Sequence, residues 1–134
     1  MSQHYSYLFD NKSVAFDALL GKIVAKITQH DDTDIIFYTN SGKYHMCHIQ
    51  ECCEGVFVDD IIGDLDDLIN SPVIMAEEAS NSNEHPYGSE TWTFYKLATT
   101  KGYVTIKWHG SSNGYYSEHV DFLQCDNTNY FLAN

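Results

Sequence analysis

Apolar residues recur at every second position along much of this chain. Ile23, Ala25 and Ile27 alternate with Lys22, Val24 and Lys26, and Val104, Ile106 and Trp108 share one side of 103–109. Successive side chains of an extended strand point to opposite faces, so a period of two commits each run to a sheet with one face covered. Further strands are expected over 35–39, 43–50, 56–58, 72–79, 91–98 and 115–122. Polar turns separate them: Asp31-Asp32-Thr33-Asp34, the tight hairpin Asn40-Ser41-Gly42, and Ser111-Ser112-Asn113-Gly114. A composition with ten Tyr and seven Phe suits strands.

Two short stretches follow a different spacing. Ser13 can cap a helix over 14–20, with Phe16, Leu19 and Leu20 on one face and Gly21 ending it. Asp64, after Gly63, can cap a second, with Leu65, Leu68 and Ile69 as its apolar stripe. Asp66 and Asp67 suit its N-terminal dipole, and Ser71-Pro72 stops it. Residues 80–90 are polar, hold Pro86 and Gly88, and read as a mobile loop. Residues 1–12 and 126–134 read as loose, although Tyr130-Phe131-Leu132 can dock. The expected fold is α+β: one domain over 1–134, built on a single twisted, mostly antiparallel β-sheet with two short α-helices.

Charge narrows the function. Nineteen acids stand against seven bases, a formal net charge of −12. Such a body repels nucleic-acid phosphates, so direct nucleic-acid binding is not expected, and it suits a basic protein partner. No stretch approaches the roughly 18 apolar residues of a membrane span. The N-terminus has neither a basic start nor an apolar run, which points to the cytosol. Four cysteines in a reducing compartment are thiols or metal ligands before they are disulfides, and adjacent Cys52 and Cys53 are awkward partners for each other.

Two of the seven histidines and three of the four cysteines lie within His45-Met46-Cys47-His48-Ile49-Gln50-Glu51-Cys52-Cys53-Glu54. His48 ends a strand and Cys52 and Cys53 follow in a bend, where three ligands can converge on one structural zinc at about 2.0–2.3 Å. Cys47, His45, Glu54, Glu77, His119 and Cys125 are candidates for the fourth position. The bland reading is a pair of buried thiols beside a hydrogen-bonded histidine. Signatures of catalysis are missing: no HExxH, no GxSxG and no phosphate-binding glycine loop. A zinc hydrolase is therefore not expected, and the chain does not read as an enzyme. Glu54, Asp59, Asp60, Asp64, Asp66 and Asp67 lie in an acid-rich run free of Lys and Arg. They form either a solvated surface or an acidic face for a basic partner.

The segments Tyr44-His45-Met46-Cys47-His48-Ile49-Gln50-Glu51-Cys52-Cys53-Glu54, Asp59-Asp60-Ile61-Ile62-Gly63-Asp64-Leu65-Asp66-Asp67-Leu68-Ile69, Trp92-Thr93-Phe94-Tyr95-Lys96 and Gly102-Tyr103-Val104-Thr105-Ile106-Lys107-Trp108 resemble a family of small acidic proteins of phages and prophages. The likeness runs from about residue 18 to residue 122. Within it, the chain resembles zinc-containing phage anti-CRISPR proteins, which inhibit the RNA-guided nuclease of type II systems. The resemblance implies a non-enzymatic inhibitor in the host cytoplasm. It would dock on the basic recognition lobe of the nuclease and hinder loading of target DNA. It also carries His48, Cys52 and Cys53 over as metal ligands; His45 and Cys47 depart from the family's pattern. The alternative is a sponge for a nucleotide immune signal, which needs aromatic stacking and cationic phosphate contacts; Lys96 and Lys107, in aromatic strands, are the candidates for the latter.

Overall fold

The computed structural model describes residues 11–132, and they form two antiparallel sheets. Nine strands follow in order: β1 (Lys12–Ser13), β2 (Val24–His30), β3 (Asp34–Thr39), β4 (Gly42–Cys47), β5 (Gly55–Ile62), β6 (Met75–His85), β7 (Gly88–Thr99), β8 (Gly102–Ser112) and β9 (Asp121–Gln124). One sheet has the order β1-β9-β4-β3-β2 and the other β5-β8-β7-β6. Alternation explains the strands. Ile35, Phe37 and Thr39 of β3 are buried while Asp34, Ile36 and Tyr38 face outward, and Val104, Ile106 and Trp108 do the same work on β8.

The two inner faces share one core. Phe37, Met46 and Phe122 come from the five-stranded sheet, and Tyr95, Leu97, Ile106 and Trp108 from the other. Trp108 Nε1 donates to Met46 Sδ across the interface at 3.1 Å, so the buried indole N–H has a partner. Phe16 stands between the sheets, with ring centroids 4.6 Å from Tyr95 and 5.3 Å from Phe122.

The expected α+β fold with a single sheet and two α-helices is therefore corrected to an all-β architecture of two sheets. Only single 3-10 turns form where helices were expected, at Phe16–Leu19 and Leu65–Leu68. In each, two leucine or phenylalanine side chains three residues apart fit the three-residue repeat of one 3-10 turn. Neither stretch is long enough to repay nucleation of an α-helix. Ser13 lies in β1 and Ala15 takes the first cap position without a side-chain bond, whereas Asp64 caps as expected, accepting from Asp66 N–H at 3.0 Å.

Three further expectations change. Residues 80–90 are not a loop. β6 runs through Ser80 and Ser82 to His85, pairs with β7 along its whole length, and turns at Pro86-Tyr87. Residues 115–120 are not a strand but a crossing segment that leaves one sheet and enters the other as β9. The tail is docked as far as Tyr130, beyond which Phe131 and Leu132 are exposed: Asp126 accepts from Lys43 N–H at 3.0 Å and from the Tyr130 hydroxyl at 2.5 Å, and the Tyr130 ring meets Tyr38 at 5.1 Å. Of the expected loose lead-in, residues 1–10 lie outside the described residues, and Lys12 is already paired with Gln124. Among the described residues, no helix is long and apolar enough to cross a membrane.

Candidate functional site

β4 ends at Cys47, and the chain then bends through residues 48–54 to reach β5 in the other sheet. Glu54 organises that bend. Its Oε2 meets His48 Nε2 at 2.7 Å and accepts from Glu51 N–H at 2.8 Å, while Oε1 accepts from Cys52 N–H at 2.9 Å. Gln50 Nε2 donates to the carbonyls of Cys52 and Glu54. The His48 imidazole holds the Glu54 carboxyl down at about 2; burial works against this, and the N–H groups of Glu51 and Cys52 add to it.

This arrangement gives the expected metal trio other partners. Both ring nitrogens of His48 face protein acceptors, Nδ1 the carbonyl of His119 at 2.8 Å and Nε2 the Glu54 carboxylate. Cys52 and Cys53 are joined to each other by a disulfide, so neither sulfur is a thiolate ligand, and the expectation that they remain thiols is corrected. Glu54, expected on a partner-binding face, is only 4% exposed and belongs to the interior of the bend.

A different group has the geometry to hold a metal. Ligand atoms of Asp34, His45 and Cys47 all lie within 4.8 Å of one another. The hairpin builds it. His45 and Cys47 alternate onto the outer face of β4, and β3 runs antiparallel with Ile36 opposite His45, which brings Asp34 alongside. Asp34 Oδ1 meets His45 Nε2 at 2.5 Å. Burial pushes the Cys47 thiol up to about 12, and the neighbouring Asp34, Asp121 and Cys125 add to it. That is a thiol in a negative field, the environment a cation neutralises. One carboxylate, one imidazole and one sulfur fit the donor preferences of zinc, with solvent free to complete four-coordination. His45 and Cys47 stood among the sequence's reserve ligands, but Asp34 did not.

The remaining acids divide. Asp59, Asp60, Asp64 and Asp66 are exposed on β5 and the turn after it, and Lys107 Nζ pairs with Asp59 at 3.2 Å. Asp67 is only half-exposed. Its carbonyl accepts from the Thr99 hydroxyl, and its side chain packs against Gly102.

Beside the bend lies an open cleft of about 300 Å³, lined by Cys53, Glu54, His85, Tyr87, Ser112 and Tyr116 among others. None of its lining residues is Lys or Arg, and Lys96 and Lys107 lie elsewhere, so it lacks the cationic contacts a nucleotide phosphate needs. Glu118 sits behind the cleft, 9% exposed. Burial pushes its carboxyl up, but the hydroxyls of Ser112, Ser89 and Thr91 and the nearby His109 together bring it below the usual range. Sequence reasoning did not single out this carboxylate, although Glu118 is buried in alternation with Val120 and Phe122.

A family model described as "Domain of unknown function (DUF7448)" matches residues 17–122. The chain belongs to the DUF7448 family. The matched stretch begins in the first 3-10 turn and ends in β9, so this DUF7448 domain includes the bend, the Asp34-His45-Cys47 group and the cleft. No curated protein and no solved structure matches the chain.

Proposed function

We propose that this DUF7448 domain is a non-enzymatic binding protein whose acidic surface captures a basic protein. The partner in view is the basic recognition lobe of a type II RNA-guided nuclease in the host cytoplasm, with hindered loading of target DNA as the consequence. One observation carries the reading: Asp59, Asp60, Asp64 and Asp66 are exposed together along β5 and the turn that follows, on a chain of net charge −12. Exposed carboxylates on a strongly acidic chain raise the encounter rate with a positive surface and penalise a negative one. The DNA channel of such a nuclease is positively charged. Zinc at Asp34, His45 and Cys47 has a structural role here, pinning β3 to β4. The cleft's lack of cations gives no support to a nucleotide sponge.

The test is binding of the purified protein to a purified type II nuclease at low and high salt. Affinity should fall steeply as salt rises and fall further in a combined Asp60→Asn, Asp64→Asn, Asp66→Asn variant. Binding indifferent to both salt and these substitutions, or none at all, overturns the reading.

A further inference from the structure

The cleft has one reactive wall. Cys53 lines it, and Cys53 is joined to its sequence neighbour Cys52 by a disulfide exposed on the surface of the bend. The other two cysteines, Cys47 and Cys125, are buried and free. We propose that Cys52–Cys53 is a reversible thiol–disulfide exchange site. Its co-substrate is a small neutral or cationic thiol that enters through the cleft and attacks Cys53.

Three structural features carry this. First, opening the disulfide leaves the bend intact, because hydrogen bonds independent of the sulfurs hold it. Glu54 binds the N–H groups of Glu51 and Cys52, Gln50 binds the carbonyls of Cys52 and Glu54, and His48 locks Glu54. The covalent change is therefore confined to two side chains. Second, both cysteines are exposed, and only Cys53 borders the cleft, so a thiol held there meets Cys53 first. Third, the approach is electrostatically selective. Lys and Arg are missing from the cleft lining, and the chain carries a net charge of −12. An anionic thiol is repelled and a cationic one is drawn in.

The exchange balances with two equivalents of thiol. The thiolate of the first bonds to Cys53 Sγ. The Cys52–Cys53 bond breaks, its electron pair stays on Cys52 Sγ, and that thiolate takes a proton from water. The thiolate of the second attacks the small-molecule sulfur of the mixed disulfide, forming the small-molecule disulfide and releasing Cys53 Sγ, which is protonated in turn. The protein disulfide gains two electrons and two protons, and two small thiols are oxidised to one disulfide.

The full-length protein tests this directly. It is incubated with cysteamine or with mercaptoethanesulfonate at matched thiolate concentration, quenched with N-ethylmaleimide, and read by intact mass and peptide mapping. Before any thiol is added, Cys52 and Cys53 should take no maleimide. Cysteamine should open both, with the early mixed disulfide mapping to Cys53, at a rate at least about tenfold above the sulfonate at low salt, the two converging at high salt. Cys47 and Cys125 should stay unlabelled. The variants Cys52→Ser and Cys53→Ser, each mixed with cystamine, separate the sulfurs: the Cys53 thiol of the first should react several-fold faster than the Cys52 thiol of the second. Maleimide on both cysteines at the outset, equal rates for the two thiols at low salt, or a mixed disulfide mapping to Cys52 overturns the proposal.

Discussion

His48 and Glu54 face each other inside the bend, Nε2 to Oε2 at 2.7 Å, with side chains 3% and 0% exposed. The pair joins the end of the five-stranded sheet to the start of the other, because β4 ends one residue before His48 and β5 begins one residue after Glu54. It fixes how the chain passes between layers.

That pair makes stability depend on acid. The folded protein holds the Glu54 carboxyl at about 2 against an ordinary 4.5, chiefly through the His48 imidazole. The folded state thus favours the carboxylate. This contribution is complete above about pH 4.5 and is lost as pH falls through about 2. Urea midpoints measured from pH 6 down to pH 2 should fall across that window. They should fall less steeply in Glu54→Gln and in His48→Ala, both of which start from a lower midpoint. A wild-type profile that stays flat between 4.5 and 2 contradicts the pairing.

The Asp34-His45-Cys47 group should respond to zinc. At a free concentration about 100 times the dissociation constant, a ligand bound only by the folded state adds about 2.7 kcal/mol, a rise of several degrees in Tm for a domain of this size. Asp34→Asn, His45→Ala and Cys47→Ser should each shrink that rise. A double Cys52→Ser, Cys53→Ser variant should keep it. The last comparison discriminates, because it separates the outer face of β4 from the bend that the sequence alone suggested. Elemental analysis of the purified protein measures the same difference as bound metal.

The position of Asp34 was within reach of the sequence. A two-residue turn at Asn40-Ser41 pairs Thr39 with Gly42, and counting back along β3 places Asp34 beside His45 and Cys47. Reading Asp34 as part of the preceding polar turn hid it. The alternating strands were legible for the plain reason that each buries one face. β6 was not. It is an edge strand whose residues beyond Ala76 are exposed, so backbone pairing with β7 holds it and no apolar rhythm records it. Apolar spacing of three pointed to helices, but spacing does not distinguish one 3-10 turn from an α-helix when the segment is this short. Adjacency of Cys52 and Cys53 shows that they can meet an ion or each other; only the geometry of the bend decides between the two.

The shared core predicts a large cost for one small deletion. Ile106 is fully buried on β8, among residues of both sheets. Ile106→Ala should lower stability by about 2–5 kcal/mol, through lost burial and the cavity left behind. Ile62→Ala, on an exposed end of β5, should cost under about 1 kcal/mol. Chemical denaturation of the two variants side by side measures the difference, and equal losses would mean that the sheets do not pack as described.

The docked tail depends on a glycine. Gly42 opens β4 at φ +138°, and a Cβ there would stand 2.2 Å from the Asp126 carbonyl oxygen. That contact cannot be relieved by a side-chain rotation, because the obstacle is backbone and Asp126 is itself fixed by Lys43 N–H and the Tyr130 hydroxyl. Gly21 is the fair comparison. It has φ +81° with nothing within 4 Å of the added carbon, so alanine there meets only the backbone penalty. Gly21→Ala should cost about 1–2 kcal/mol. Gly42→Ala should cost about 1–3 kcal/mol more. The extra loss should come with release of the tail. Limited proteolysis should cut after residue 126 in Gly42→Ala under native conditions and spare it in Gly21→Ala. Equal losses and equal protection would place the tail away from the β3–β4 turn.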